Sequence, residues 1–298
     1  MELNFALRGP VIAAALRDGH THIGYTGDLP AVALAASDSA AVLVGVAALS
    51  QDLCVLLVRR DAPVFAAPAD GIRWLAGKRF AVSPGTCQQR VALAAFARER
   101  VKPAQILPLG LEVYELALRE QRIDAVGSNE LGAADLIEAG VARRLYSSHV
   151  AGEWDAVFIA TSATLARDRP DVVRGWLAAE LEAQRFMADP DNADEVIRLV
   201  AKHLPATPER ALRLALYGAY PANQGGSPLR RVFPFRFSAE ATAVVHDAHR
   251  SAQRLGLAPA GALRSGAIVP DFTEELLRSH RLTSPLGEVR ARPDLAPQ

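Results

Sequence analysis

The absences in this sequence exclude several functions before any motif is read. Cysteine occurs only twice in 298 residues, at Cys54 and Cys87. Two cysteines that far apart make neither a metal-ligand motif nor a disulfide framework. Net charge is also missing: Lys plus Arg and Asp plus Glu both number 33. A nucleic-acid-binding surface would need a basic excess, so that partner is excluded. No apolar run reaches the roughly 18 residues of a membrane span. The opening Met1-Glu2-Leu3-Asn4-Phe5-Ala6 shows no basic segment leading into an apolar one, and therefore no legible secretion signal. The patterns His-x-x-x-His, Gly-x-Ser-x-Gly, Gly-x-Gly-x-x-Gly and the phosphate-binding P-loop do not occur in suitable context. No internal repeat or low-complexity segment breaks the chain.

What is present is a globular composition, 50% hydrophobic, in a chain long enough for two lobes. Short strands alternate with helices. Leu3–Ala6 reads as a strand, Val11–Leu16 as a helix, His22–Tyr25 as a strand and Ala31–Ala36 as a helix. Strands over 41–46, 52–59 and 77–82 follow. In the second of these, Leu53, Val55 and Leu57 alternate with Cys54 and Leu56, apolar on both faces and so buried. A helix over 88–98, a strand over 105–109, a helix over 111–120, a strand over 123–127 and a helix over 131–138 continue the alternation, and 156–161 is the last clear strand. This order predicts an α/β fold with mostly parallel sheets. Beyond it the chain is helical. Trp176 lies on the apolar stripe of Val172, Val173, Leu177 and Leu181 and is most simply core. From about Ser284 periodicity ends, which predicts a loosely attached tail.

Four stretches fall where a strand ends and a helix begins: Arg8-Gly9-Pro10, Thr26-Gly27-Asp28, Gly85-Thr86-Cys87-Gln88 and Ser128-Asn129-Glu130. In open α/β sheets ligands bind at such ends, where free N–H groups and the helix dipole favour anions. Each stretch taken alone is also an ordinary helix cap. Ser83-Pro84-Gly85-Thr86 is the best single candidate for amides that cradle a sulfonate or carboxylate. His246 and His249, three apart on a helix, make a two-ligand set or a solvated face, and no metal site is expected from two ligands alone. "PLRRVFPFRF" (Pro228–Phe237) fits a lobe-packing loop or a transporter-facing patch.

The stretches "FALRGPVIAAALRDGHTHIGYTGDLPAV", "LAGKRFAVSPGTCQQRVAL", "LALREQRIDAV", "RPDVVRGWLAAELEAQRFM", "AQRLGLAP" and "IVPDFTEELL" follow one another over about 270 residues. In this order and spacing they resemble the substrate-binding proteins of ABC importers for nitrate, sulfonates and taurine, a group that includes pyrimidine-precursor binders. The resemblance implies a two-lobed periplasmic-binding-protein-like fold (type II, Venus flytrap). Residues 1–62 plus 154–298 would form one lobe and 63–153 the other, with the ligand between them and a hinge closure on binding. It implies a small organic anion or zwitterion as ligand, permease and ATPase subunits as partners, no cofactor, and a periplasmic or membrane-associated location served by an upstream signal. The ligand set it suggests is Arg8, Gly9, Thr26, Gly27, Gly85, Thr86, Cys87, Gln88, Asn129, Glu130 and Trp154. Thr26 would hydrogen-bond the ligand and Asp28 would cap the next helix.

Three departures from the family pattern carry expectations of their own. The chain starts inside the pattern, without the family's first strand and helix, which predicts either further coding sequence upstream of Met1 or a shortened relative of the family. Where sulfonate binders place aromatic residues and an Asp-Pro, Ser128-Asn129-Glu130-Leu131 makes the pocket more polar, and Glu130 either meets an ammonium group or caps a helix. Cys87, at a helix start, raises the alternative of an enzyme of the same fold, because the family has an aromatic sulfinate desulfinase branch that uses a cysteine nucleophile. That branch's cysteine, however, lies in the first loop.

Overall fold

The computed structural model describes residues 2–6, 8–37 and 40–297. The chain opens with helix α1 (Gly9–Arg17), strand β1 (Ile23–Gly27), helix α2 (Asp28–Ser37) and strand β2 (Ala41–Ser50). It then crosses into a second sheet as β3 (Cys54–Arg59). There follow α3 (Pro68–Trp74), β4 (Arg79–Ala81), α4 (Cys87–Arg98), β5 (Gln105–Leu107), α5 (Tyr114–Arg119), β6 (Ala125–Asn129), α6 (Glu130–Glu138), β7 (Ala142–Ser147) and α7 (Ser148–Ala151). The chain returns through β8 (Asp155–Ser162), then α8 (Ala163–Asp168), α9 (Pro170–Ala188), α10 (Ala193–His203), α11 (Glu209–Tyr217), β9 (Leu229–Val232), α12 (Ala239–Arg254), α13 (Asp271–Ser279) and β10 (Glu288–Arg290).

Two five-stranded sheets result, ordered β1-β8-β2-β9-β10 and β5-β4-β6-β3-β7. Each is covered on both faces. In the first, α2 and α12 bury Val32, Ala35, Val245 and Ala248 on one side, and α9 and α13 bury Val173, Leu177, Phe272 and Leu276 on the other. In the second, α3 and α4 supply Ile72, Val91 and Phe96 to one face, and α5 and α6 supply Tyr114, Leu118 and Leu136 to the other. The molecule is α/β, as the alternation of elements predicts, and two-lobed, as the resemblance implies.

The ladders, however, are mostly antiparallel rather than parallel. Strands that feed helices end at the junction of the lobes. A strand arriving from the other lobe must begin there and run the opposite way. The two arriving strands are β3 and β8, and both take central places. Asp155 at the start of β8 lies opposite Ser50 at the end of β2, and Cys54 at the start of β3 lies opposite Asn129 at the end of β6. Among the strands described, β4 alone pairs with other strands in parallel, with β5 and with β6.

Sheet membership also moves the expected lobe boundary. β3 pairs with β6 and β7, so the first crossing lies between Ser50 and Cys54 and not at residue 62. Leu3–Ala6 is exposed and joins no strand. The tail beyond Ser284 is tied down, because β10 pairs with β9 and buries Val289. The strand β7 went unread, since Ala142-Arg143-Arg144 masks its alternation. Pro228–Phe237 is a lobe-packing element, for β9 joins the first sheet and Phe233 and Phe235 are buried. Trp176 is half-buried rather than core, and its Nε1 donates to the Tyr25 hydroxyl at 2.8 Å.

The lobes are pinned beside the first crossing by four buried charges. Asp52, between β2 and β3, bonds Arg144 of β7 and Arg230 of β9, and Glu130 of α6 bonds the same two arginines. Both guanidiniums also lie against the Tyr220 ring, with Arg144 at 4.4 Å from its centroid. Next to this cluster, Ala211, Leu214 and Ala215 of α11 pack on Ala134 of α6. Removing one member strands a buried charge, which costs about 3–5 kcal/mol. Urea denaturation of Arg144→Met should therefore show a loss of that order, whereas Arg119→Ala, which removes an exposed pair with Glu115, should lose less than about 1 kcal/mol.

Candidate functional site

A cavity of about 190 Å³ lies between the lobes. Four helices of nine or more residues start at it: α1 after Arg8, α2 after Gly27, α4 after Thr86 and α6 after Asn129. The local sequence explains three of these starts. Pro10 sits in the first turn of α1, where its missing N–H costs nothing. Thr86 and Asn129 cap α4 and α6, accepting from the amides of Gln89 and Gly132. The convergence places four positive dipole ends at one cavity, an arrangement suited to an anion.

Of the sequence-derived candidates, Arg8, Gly9, Thr26, Gly27, Thr86, Cys87, Gln88 and Asn129 line the cavity. Thr26 is the most telling. It is 3% exposed, and its Oγ1 has no hydrogen-bond partner among the described residues. A buried hydroxyl without a partner is costly unless something else supplies one. Its place beside Gly9 is tight enough that a side chain there would collide with Oγ1. Arg8 reaches the cavity from the first lobe, its guanidinium 3.9 Å from Glu112 of the second. Asn129 uses Oδ1 for its cap and keeps its amide protons as donors.

Three candidates lie elsewhere. Gly85 does not line the cavity, and its N–H is held by Gln89 Oε1 at 2.8 Å. Glu130 turns away into the four-charge cluster, drawn by Arg144 and Arg230. Trp154 packs against the core of the first lobe, beyond the cavity lining. Thr86 lines the cavity, but its hydroxyl donates to the Ser83 carbonyl at 2.7 Å, so it offers a ligand an acceptor only. Ile12, Leu53, Leu111 and Val157 add an apolar wall that went unread. The signal for Leu53 and Val157 was their position at the two crossings, which follow from sheet pairing. The histidine pair dissolves: His246 is exposed and His249 is buried, and among the described residues no group of three or more His, Cys, Asp or Glu side chains could hold a metal ion.

Asp28 does not spend its carboxylate on its helix. It pairs bidentately with Arg90 of α4, at 3.1 Å to Nε and 2.9 Å to Nη2. Arg90 also bonds Asp155 at 2.9 Å and Asp247 of α12 at 3.0 Å. One guanidinium of the second lobe thus meets three carboxylates of the first. Asp155 accepts as well from Ser148 Oγ and from the Cys54 amide. Its burial, reinforced by the neighbouring Asp28 carboxylate and opposed by Arg90, pushes its carboxyl up to about 7. The folded state then holds a proton that the unfolded chain, titrating near 3.8, has released. This contribution to stability is full below about pH 4 and is lost as pH rises through about 7. Asp155→Asn mimics the protonated form. Its stability relative to the wild type should rise between pH 5 and pH 8 by about 2–4 kcal/mol, as read by urea denaturation at both values.

The NMT1/THI5-like family profile matches residues 12–193. No curated protein matches the sequence. Among solved structures, the chain is similar to the alkanesulfonate-binding protein SsuA from Xanthomonas axonopodis pv. citri bound to MOPS. Identity is 18% and the TM-score 0.69, over 89% of this chain and 86% of that one. It is similar to the periplasmic nitrate-binding protein NrtA from Synechocystis PCC 6803, at 11% identity and a TM-score of 0.70, over 95% and 82%. The desulfurization enzyme DszB matches at 19% identity and a TM-score of 0.61, over 87% and 86%. At these identities the likeness establishes the fold.

Proposed function

The chain belongs to the NMT1/THI5-like family, and from that premise we propose that it is the solute-binding component of an ABC importer, capturing a small organic anion or zwitterion between its lobes. The observation that carries this reading is the buried Thr26 hydroxyl, without a partner among the described residues and set among four helix starts. Solved relatives that bind alkanesulfonates or nitrate support it. In that role the protein works outside the cytoplasmic membrane and delivers its ligand to permease and ATPase subunits. Closure of the lobes on the ligand is the signal they read.

Cavity size narrows the ligand. At about 190 Å³ it is smaller than the roughly 300–1,000 Å³ of drug-sized sites. A compact sulfonate such as taurine, or nitrate, suits it better than a biaryl acid. The charged head sits against the helix starts and Arg8, with Thr26 donating, and a short apolar portion meets Leu53, Leu111 and Val157.

A second reading has one observation in its favour. Cys87 lines the cavity at a helix start, as a nucleophile of a sulfinate desulfinase would. A thiol nucleophile works best with an adjacent base, and no histidine is among the residues lining the cavity. Calorimetric titration with taurine, MOPS and nitrate, run beside an assay for sulfite release from aromatic sulfinates, separates the two. Saturable binding without product supports the importer reading, whereas sulfite release that disappears in Cys87→Ala supports the enzyme.

The two threonines of the cavity should respond differently. Losing a hydrogen bond to a charged ligand costs roughly 1.5–3 kcal/mol, so Thr26→Val should weaken binding about tenfold to a hundredfold. Its folding stability should hold, since the lost hydroxyl has no partner among the described residues. Thr86→Ala should instead lose about 1 kcal/mol of stability through its cap and change affinity less. Unaltered affinity in Thr26→Val would place the ligand elsewhere.

A further inference from the structure

The chain's only two cysteines lie side by side. Cys54 opens β3 immediately after the first crossing, and Cys87 opens α4. Both are free and buried, and both belong to the same core cluster of the second lobe. Helix α4 packs on β3, and the Cys87 thiol is among the neighbours that raise the Cys54 thiol above its ordinary range. Their surroundings differ. Cys54 is fully buried, its N–H bonded to Asp155, whereas Cys87 lines the cavity. The Cys87 sulfur also occupies the space beside Gly27, 2.7 Å from where a β-carbon on that glycine would stand. One sulfur is therefore presented to whatever enters the cleft, and the other waits behind it.

We propose that Cys54 and Cys87 form a reactive dithiol at the cleft wall, with Cys87 the attacking sulfur and Cys54 the resolving one, which a small peroxide converts to an intramolecular disulfide. The oxidant must be compact, because the cavity that leads to Cys87 is only about 190 Å³; hydrogen peroxide qualifies. In the first step the Cys87 sulfur, as thiolate, takes one oxygen. The O–O bond breaks, an S–O bond forms and hydroxide leaves, giving a sulfenic acid. In the second, the Cys54 sulfur attacks the Cys87 sulfur. The S–S bond forms, the S–O bond breaks, and the departing oxygen leaves as water with the Cys54 proton. Two thiols and one peroxide thus become one disulfide and two waters. Burial and the nearby Asp155 and Asp28 carboxylates hold the Cys54 thiol well above the usual range, so Cys54 keeps its proton until the second step, in which it attacks as it gives that proton up to the departing oxygen. Closing the bond ties Cys87 to Cys54, so oxidation alters the cleft wall beside Gly27 and removes its free thiol.

The test treats the intact protein with hydrogen peroxide, then counts thiols in denaturant and records the intact mass. Titratable thiols should fall from two to none, the mass should drop by two hydrogens, and dithiothreitol should reverse both. In Cys54→Ser, dimedone should capture a sulfenic acid on Cys87, because the resolving sulfur is gone. In Cys87→Ser, Cys54 should stay unmodified behind the cleft wall. Wild-type protein that keeps two thiols, or that carries a sulfinic acid on Cys87 with Cys54 still titratable, overturns the proposal. These readouts need no ligand, so they stand or fall apart from the importer reading.

Discussion

The buried guanidinium of Arg90 is the constraint on which the cleft depends. It is carried by α4, whose first turn lies in the cavity. It bonds Asp28 at the first turn of α2, Asp155 at the head of β8 and Asp247 on α12. A single cation thus sets the distance between the helix start of one lobe and three elements of the other. Burying it is expensive, and the geometry repays that cost only because the contact with Asp28 is bidentate and the remaining donors find acceptors. Without this tie the helix starts would have no fixed separation, and partial positive charges that converge loosely hold an anion poorly.

The same arrangement solves a problem of sign. Asp28 and Glu130 are acidic groups at helix starts beside the cleft, where a free carboxylate would repel the anionic ligand proposed above. Each is turned inward to arginines: Asp28 to Arg90, and Glu130 to Arg144 and Arg230. The helix amides then face the cavity without a competing negative charge. The two arginine clusters also flank the two crossings of the chain, one beside Asp52 and the other beside Asp155. The lobes are joined where the chain passes between them and separated where the cavity lies.

The arriving strands β3 and β8 explain why so much of the chemistry gathers at one level. Because they run against the strands that end at the cleft, their first residues sit beside the others' last ones. Cys54, Asp155 and Val157 are brought among Gly27, Asn129 and Ser50 in this way. A parallel sheet would have placed those first residues at the far end of the lobe.

The alternation of strands and helices was legible in the sequence, and so were the strand-to-helix turns at Arg8-Gly9, Thr26-Gly27, Thr86-Cys87 and Ser128-Asn129. Both follow from local rules: apolar periodicity, caps, and proline or glycine at element ends act over a few residues. Partner choice is non-local, and only the tertiary structure decided it. The sequence around β3 reads the same whether the strand joins the first sheet or the second, and the tail gives no sign that Val289 will find β9. Glu130 is a helix-start acid on any local reading. Its direction was set by Arg144 and Arg230, the latter 100 residues distant in the chain. The sequence by itself determined which residues stand at the ends of strands. Sheet pairing and buried charge determined which of those ends share a cavity and which turn away from it, because both depend on groups that meet only once the chain has folded.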